Sequence, residues 1–382
     1  MATRRNVLKI IGGGAVLAAA GGGVWAATRD PAAARIPWER AGQEEGDPRR
    51  QALSYALLAP NPHNRQPWLA DLGTADEVTL YCEAERRLPH TDPFDRQITI
   101  GLGAFIELLA MAAAESGHRT DISPFPDGEP QPRLDGRPVA RVRFSQDAAV
   151  PGDPFFRHVL ARRSNREAYD TARAVESEAL ATIAQAARVS RIAHTNEKAV
   201  VEELRPLAWA AMATELTTPH TLKESVDLTR IGRAEIEANP DGIALAGPLL
   251  EGLALTGLLS REAMLDQSPE AFKQQEAALG PQFDSAMAFL WLTTPGNSRA
   301  DQITAGRDYV RLNLAATGLG VSVQPFSQAL QEYEEVRPHH LAIRNTLGIT
   351  EAETLQMFIR LGYGPAVSAA PRWPLGTRIS KA

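Results

Sequence analysis

Apolar residues recur at helical spacing through GAFIELLAMAAAESG (103–117). Phe105, Leu108, Leu109 and Ala112 share one face there, and Gly117 suits a C-terminal cap. A shorter helix is predicted ahead of it. Asp47-Pro48 makes a good start, because Asp accepts from free amides and Pro is tolerated in a first turn. Leu53, Ala56 and Leu57 then fall on one face of RRQALSYALLA until Pro60 stops the run. VTLYC (78–82) reads as a buried strand, and ARVRFS (140–145) alternates as a half-buried strand does. Further on, the pattern predicts a capped helix from Asp153-Pro154 through FFRHVLARRS and a second helix at about 177–188. A strand AFLWLTT (288–294), a helix GRDYVRLNLAATGLG (306–320) and a late strand FIRLG (358–362) complete the set. Residues 28–46 have the composition of a linker, and 124–138, rich in Pro, Asp and Gly, read as loop.

Two of these stretches resemble one another. DRQITIGLGAFIELLAMAAAESG (95–117) and ADQITAGRDYVRLNLAATGLG (300–320) each carry Q-I-T-x-G before a helix that closes on Gly, and each is soon followed by Pro-Phe. The pattern implies an α+β chain of two pseudo-repeated halves, 47–150 and 151–376. The second half is too long for its partner, and the surplus is placed as a helical insertion at about 217–287. It is broken by Asn239-Pro240-Asp241-Gly242 and by Gly247-Pro248. An insertion of that length is either a lid over a site or a surface subdomain.

Composition narrows the function. The chain has 382 residues, 44% hydrophobic and 23% charged, with a formal net charge of −6. That charge, with no basic stripe interleaved with aromatics, argues against a nucleic-acid surface. Cys82 is the only cysteine, so neither an intramolecular disulfide nor a cysteine-based zinc site can form, and the eight histidines show no ligand spacing. No metal is implied. At the N-terminus, TRRNVLKIIGGGAVLAAAGGGVWAA sets Arg4-Arg5 before a weakly apolar, glycine-broken run too short to be a good membrane span. Residues 1–27 resemble a twin-arginine export signal. An extracytoplasmic, periplasmic location is therefore expected, with the export machinery as a partner and membrane contact only in transit. That route is similar to the one taken by proteins that fold around a cofactor before export.

Three clusters could carry chemistry. Pro60–Trp68 (PNPHNRQPW) crowds amide and imidazole groups into a backbone stiffened by proline. Asn61, Pro62, His63, Asn64 and Gln66 could meet a flat heteroaromatic edge, or could satisfy backbone groups at a helix-ending turn. ARRSNREAY (161–169) places Arg162, Arg163, Ser164 and Arg166 within five residues at a predicted helix end. Three arginine forks and a hydroxyl suit a phosphate, and a solvated charge run is the alternative. Late in the chain, PRWPL (371–375) supplies Arg372 as a second candidate for the same anion.

Together these clusters resemble the nitroreductase family of FMN-binding proteins, and most closely its duplicated, single-chain Acg-type branch. In that family an R-R-S-x-R segment and a late arginine hold the FMN phosphate, and an A-P-S-x-x-N-x-Q-P-W segment contacts the flavin. Here the matches are Arg162 through Arg166, Arg372, and Ala59 through Trp68, with Gly318-Leu319-Gly320 closing a helix. The resemblance spans roughly 47–376. It implies a nitroreductase-like fold, a monomer built as a pseudo-dimer, and FMN held between the halves. Only one composite site is complete, because the first half lacks R-R-S-x-R and the second half's loop (ARVSRIAHT, 187–195) lacks N-x-Q-P-W. The family also places groups near the reactive flavin nitrogen where Gln324-Pro325 falls. Asn61-Pro62-His63 replaces the more usual serine-rich version of the loop, and His63 either faces the ring or caps the turn. No side chain stands out as a catalytic acid or base.

The function expected is that of an exported FMN-dependent oxidoreductase, passing electrons to a small, electron-poor aromatic or quinone-like acceptor. The rival is a protein that stores or shields FMN beneath its insertion with little turnover. A scaffold with an empty site is the third reading.

Overall fold

The computed structural model describes residues 29–44 and 46–380; the twin-arginine segment expected over 1–27 lies outside the described residues. In chain order the helices are α1 (Ile36–Arg40), α2 (Pro48–Ala56), α3 (Arg96–Glu115), α4 (Ser177–Ala184), α5 (Lys198–Thr217) and α6 (Pro219–Asp227). They continue with α7 (Gly232–Ala238), α8 (Pro248–Leu255), α9 (Arg261–Met264), α10 (Pro269–Asp284), α11 (Arg299–Gly318) and α12 (Arg337–Thr346). The strands are β1 (Trp68–Asp71), β2 (Glu77–Cys82), β3 (His118–Pro124), β4 (Ala140–Gln146) and β5 (Arg191–Thr195). The second set is β6 (Thr229–Ile231), β7 (Ile243–Leu245), β8 (Ala288–Thr294), β9 (Ser322–Pro325) and β10 (Thr354–Gly362).

Two four-stranded antiparallel sheets give the α+β architecture its internal repeat. Their orders are β1-β2-β4-β3 and β5-β8-β10-β9, so in each sheet the fourth strand in sequence lies between the second and the third. A long helix precedes the third strand of each set: α3 runs into β3 and α11 into β9. These helices cross against one another where the two halves meet. A Cβ on Gly306 would overlap the carbonyl oxygen of Ile100, and one on Gly103 would overlap that of Ile303. Only glycine allows the two backbones to approach so closely. The Q-I-T-x-G segments do not precede these helices but form their first turns. Each helix starts about seven residues earlier than the hydrophobic pattern suggests. Ser298 and Asp301 make a capping box at the start of α11, and the Asp92 carboxylate accepts from the amides of Gln97 and Ile98 at the start of α3.

Strand composition follows from which faces are covered. β4 reads ARVRFSQ, with Ala140, Val142 and Phe144 buried on one face only. β8 reads AFLWLTT because both of its faces are covered: Ala288, Leu290 and Leu292 pack with α11, whereas Phe289 joins Phe283, Phe326 and Phe358 under α5 and α10.

The insertion lies between β5 and β8, where the first half has only the short turn between β1 and β2. Its structural bounds are therefore 196–287, and it begins with α5 rather than at 217. It is mostly helical, with a two-stranded parallel sheet of β6 and β7. Two further expectations are corrected. The run after Asp153-Pro154 forms only the short turn Phe156–His158, so the arginine cluster does not end a helix. The stretch expected as a linker over 28–46 is not one throughout its described part, since α1 packs into the first core with Trp38 buried.

Candidate functional site

The loop after α2 is built by its own polar side chains. His63, Asn64 and Gln66 all take the left-handed conformation, at φ 46°, 50° and 51°. For residues other than glycine this costs about 1–3 kcal/mol each and persists only where the surroundings enforce it. The enforcement is visible. Asn61 Oδ1 accepts from the Gln66 amide at 2.7 Å, and Asn61 Nδ2 donates to the Ala59 carbonyl at 3.1 Å. Gln66, fully buried, accepts from the Trp373 amide at 2.9 Å and donates to the Pro240 carbonyl at 2.7 Å. Asn64 donates to the Pro371 carbonyl at 3.1 Å and accepts from Arg372 Nη1 at 2.6 Å. Asn61 and Pro62 also press on α3 at Gly101, where a Cβ would crowd the Asn61 side chain.

Side-chain amides of Asn61, Asn64 and Gln66 are thus engaged in shaping the loop, the turn-forming alternative, rather than extended toward a ring. His63 is the exception. Its Nδ1 is buried without a hydrogen-bond partner. Burial above all lowers its pKa, opposed by the charges of Glu215 and Glu224 and reinforced by Arg65 and Arg166. The imidazole is therefore neutral at neutral pH, with one ring nitrogen unengaged.

Arg372 acts on the same loop from the C-terminal segment. It is 2% exposed, and all its nitrogens donate within the protein: Nε to Leu57 O, Nη2 to Leu58 O and Ala59 O, and Nη1 to Asn64 Oδ1 and Pro371 O. Its donors are occupied, so it acts as a clamp on the loop and not as an open phosphate ligand.

Arg162 is the opposite case. It is 3% exposed, with Nη2 donating to Leu58 O at 2.8 Å, while its Nε and Nη1 are buried without any partner. Arg163 donates to the carbonyls of Leu160 and Arg162. Three guanidiniums surround the Trp38 ring, at 5.8 Å for Arg162, 4.9 Å for Arg163 and 5.5 Å for Arg372. Among the described residues no carboxylate pairs with any of the three. Burial lowers the pKa of Arg162 to about 10, and burial with the charges of Arg162 and Arg163 depresses that of Arg372. A buried cationic cluster without a counter-charge costs several kcal/mol unless an anion completes it.

Ser164 lies beside the Tyr309 hydroxyl of α11. Arg166 is open to solvent yet closely surrounded by protein, which lowers its pKa, and its charge reaches His63. Gln324, on β9, accepts from Arg360 Nε at 2.7 Å, leaving its amide nitrogen unengaged. Pro325 ends β9 opposite Ile359.

Sequence reasoning missed the part played by the insertion. Asp241, in the Asn-Pro-Asp-Gly turn, accepts from Arg86 at 2.7 Å, Arg230 at 2.9 Å and, more distantly, Arg65 at 3.4 Å. The Gly242 amide reaches the Asn64 carbonyl at 3.3 Å. The turn was visible in the sequence, but nothing there showed that it docks on the loop. Trp38 was missed as well, because its segment has linker composition.

The matching position of the second half is closed. Residues 188–190 follow α4 as 60–67 follow α2, and Asp308 of α11 accepts from the amides of Arg188, Val189 and Ser190. Here every arginine has a carboxylate: Glu107 pairs with Arg188, Arg307 and Arg311, and Asp153 with Arg188 and Arg311. Cys82 is buried at the end of β2, and burial pushes its thiol up to about 12, as expected of an inert core residue.

No protein-family model matches the chain. Among curated proteins it is similar to a Mycobacterium tuberculosis (H37Rv) protein provisionally named as an NAD(P)H nitroreductase, at 23% identity over 344 residues, 86% of this chain and 88% of that protein. A shorter match, 32% identical over 80 residues, covers 20% of this chain and 23% of the provisionally named NAD(P)H nitroreductase acg of the same organism. Among solved structures, the FMN-dependent nitroreductase NfnB from Mycobacterium smegmatis in complex with NADPH overlaps 59% of this chain and 96% of its own, at 19% identity and a TM-score of 0.36. An overlap at that score carries no argument, and the fold stands on its own sheets and helices.

Proposed function

We propose that this protein binds one FMN at the site where the first-half loop meets the arginines of the second half, and works as a flavin-dependent oxidoreductase of nitroreductase type. The observation that carries the reading is the guanidinium cluster of buried Arg162 and Arg372 with half-buried Arg163, none paired with a carboxylate among the described residues, and Arg162 holding unpartnered donors. Those donors fit a phosphate, whose charge and oxygens would supply what the cluster lacks. The provisional name of the Mycobacterium tuberculosis relative supports the same reading.

In this reading Arg162, Ser164 and Arg166 hold the phosphate, with Arg163 adding charge. The loop from Asn61 to Gln66, fixed by Arg372, presents His63 to the ring, and the Gln324 amide nitrogen and Pro325 lie on the β9 side. When bound, the flavin would supply the hydride and electron chemistry, and the protein would position and insulate it. One flavin per chain is expected, because the carboxylates of Glu107 and Asp153 already neutralise the second position. The acceptor is a small electron-poor aromatic or quinone-like molecule. The chain is exported by the twin-arginine route and acts outside the cytoplasm as a monomer.

Purified protein should be yellow, with flavin and chain in equal amounts. Anaerobic reduction with NAD(P)H or dithionite, then addition of a nitroaromatic or a quinone, should return the oxidised spectrum. Flavin that no acceptor reoxidises would instead favour storage, a reading supported by the insertion's grip on the loop at Pro240 and Asp241. Colourless protein unable to take up FMN would refute both. For export, the R4K/R5K double variant should stay in the cytoplasm, and unchanged secretion would overturn that part.

A further inference from the structure

The anion cluster has a wall that belongs to neither half of the repeat. Residues 31–41 approach it from outside: Pro31 leads into the turn Ala32–Arg35 and then α1. This segment is fastened to the C-terminal stretch at two points, by Trp38 Nε1 donating to Ala370 O at 2.8 Å and by the Arg372 amide donating to Ala34 O at 2.8 Å. Trp38 is 7% exposed, and the three guanidiniums lie within 6 Å of its ring. An indole face attracts cations, whereas the hydrogen-bond donors of a guanidinium point outward from its edge. The ring can therefore hold the arginines together while the edge of Arg162, with its unpartnered Nε and Nη1, remains free for an oxyanion. No other aromatic side chain lies over Arg162, Arg163 or Arg372 among the described residues.

We infer that the N-terminal segment carrying Trp38 completes the anion site, so that gripping the phosphate of FMN requires this segment as well as both halves. This rests on the FMN reading above. Trp38 is then a positioning residue: it touches the arginines rather than the phosphate, and it lowers the cost of keeping three like charges side by side. The segment follows the proposed export signal directly in sequence, so a feature with linker composition becomes part of the cofactor's binding site.

The experiment compares FMN with riboflavin, which has the same ring and no phosphate. Affinities of apo-protein for both are read by quenching of flavin fluorescence in wild type, W38A, W38L and W38F. Thermal melts of the apo forms check folding. Wild type should prefer FMN at least a hundredfold. W38L, which keeps a buried apolar group without the ring's negative face, should lose at least tenfold in FMN affinity and keep riboflavin affinity within about twofold; W38A should do the same. W38F should restore most of the FMN affinity. A folded W38L that keeps the full preference for FMN overturns the inference, as does equal loss of both flavins. A wild type with no preference for FMN would instead sink the phosphate assignment on which the inference stands.

Discussion

Replacing Asp241 with alanine should release the insertion from the loop, and the size of the effect can be worked from the contacts. Asp241 has a side chain 7% exposed, and it draws on Arg65, Arg86 and Arg230, themselves 10–15% exposed. Without it Arg86 still pairs with Glu83 at 2.7 Å, and Arg65 keeps the carbonyls of Glu85 and Arg86. The loss therefore centres on two short charge-assisted bonds, at 2.7 and 2.9 Å, each contributing about 1.5–3 kcal/mol. Residual solvent access to the arginines favours the lower part of that range, so about 3–4 kcal/mol is expected, against roughly 3–5 kcal/mol for breaking a buried ion pair outright. This energy holds a local contact, so native-state hydrogen exchange is the suitable assay. The Gly242 amide, bonded to Asn64 O, should exchange about two to three orders of magnitude faster in D241A. Amides of the β8–β10 ladder should be unaffected. D241N, which keeps an acceptor and loses the charge, should fall between. Protection at Gly242 unchanged within about fivefold would refute the clamp.

Three further outcomes follow from the same contacts. R162M should stabilise apo-protein by about 1–2 kcal/mol, since it removes an uncompensated buried charge, while FMN affinity falls roughly ten- to a hundredfold; urea melts and flavin titration check both, and a destabilised R162M with normal FMN binding would contradict the cluster's role. His63 has a lowered pKa, so the unfolded chain takes up its proton first, and stability is lost as pH falls below about 6.5. H63N, which tolerates the left-handed backbone, should flatten that loss between about pH 7.5 and 5.5, and parallel melting curves for the two proteins would tell against it. G306A should cost several kcal/mol although alanine favours helices by about 1 kcal/mol, because its Cβ meets the Ile100 carbonyl; a melting temperature equal to wild type would refute the tight helix crossing.

Much of the fold was legible because hydrophobic period and turn chemistry are local. Asp47-Pro48 caps α2 as expected, with the Asp47 side chain accepting from the Arg49 amide. AFLWLTT is β8 residue for residue, and the duplication implied by two Q-I-T segments reappears as two sheets of matching strand order. The helix expected through FFRHVLARRS failed for a tertiary reason: the turns through Ala161 give way to irregular backbone where Arg162 is drawn to the Leu58 carbonyl and the Asn165 amide to that of Val323. The early starts of α3 and α11 were hidden because their first turns carry polar residues whose partners lie in the other half. Arg96 reaches the Gln356 carbonyl, and Arg299 those of Pro130 and Pro132.

By itself, then, the sequence determined the principal helices and four of the strands, that the chain is a repeat with an insertion in its second half, and which residue types gather near a candidate anion site. Only the tertiary structure decided how they divide the work. Arg162 and Arg372 read alike as arginines, yet one is left with buried unpartnered nitrogens and the other has every nitrogen engaged on the loop it clamps. Asn61, Asn64 and Gln66 look like ligand contacts in the sequence and prove to be braces. The physical reason is that a polar side chain's role is set by its partners. Those partners, Pro240, Pro371 and Trp373 for the loop and Trp38 for the arginines, lie more than a hundred residues away along the chain.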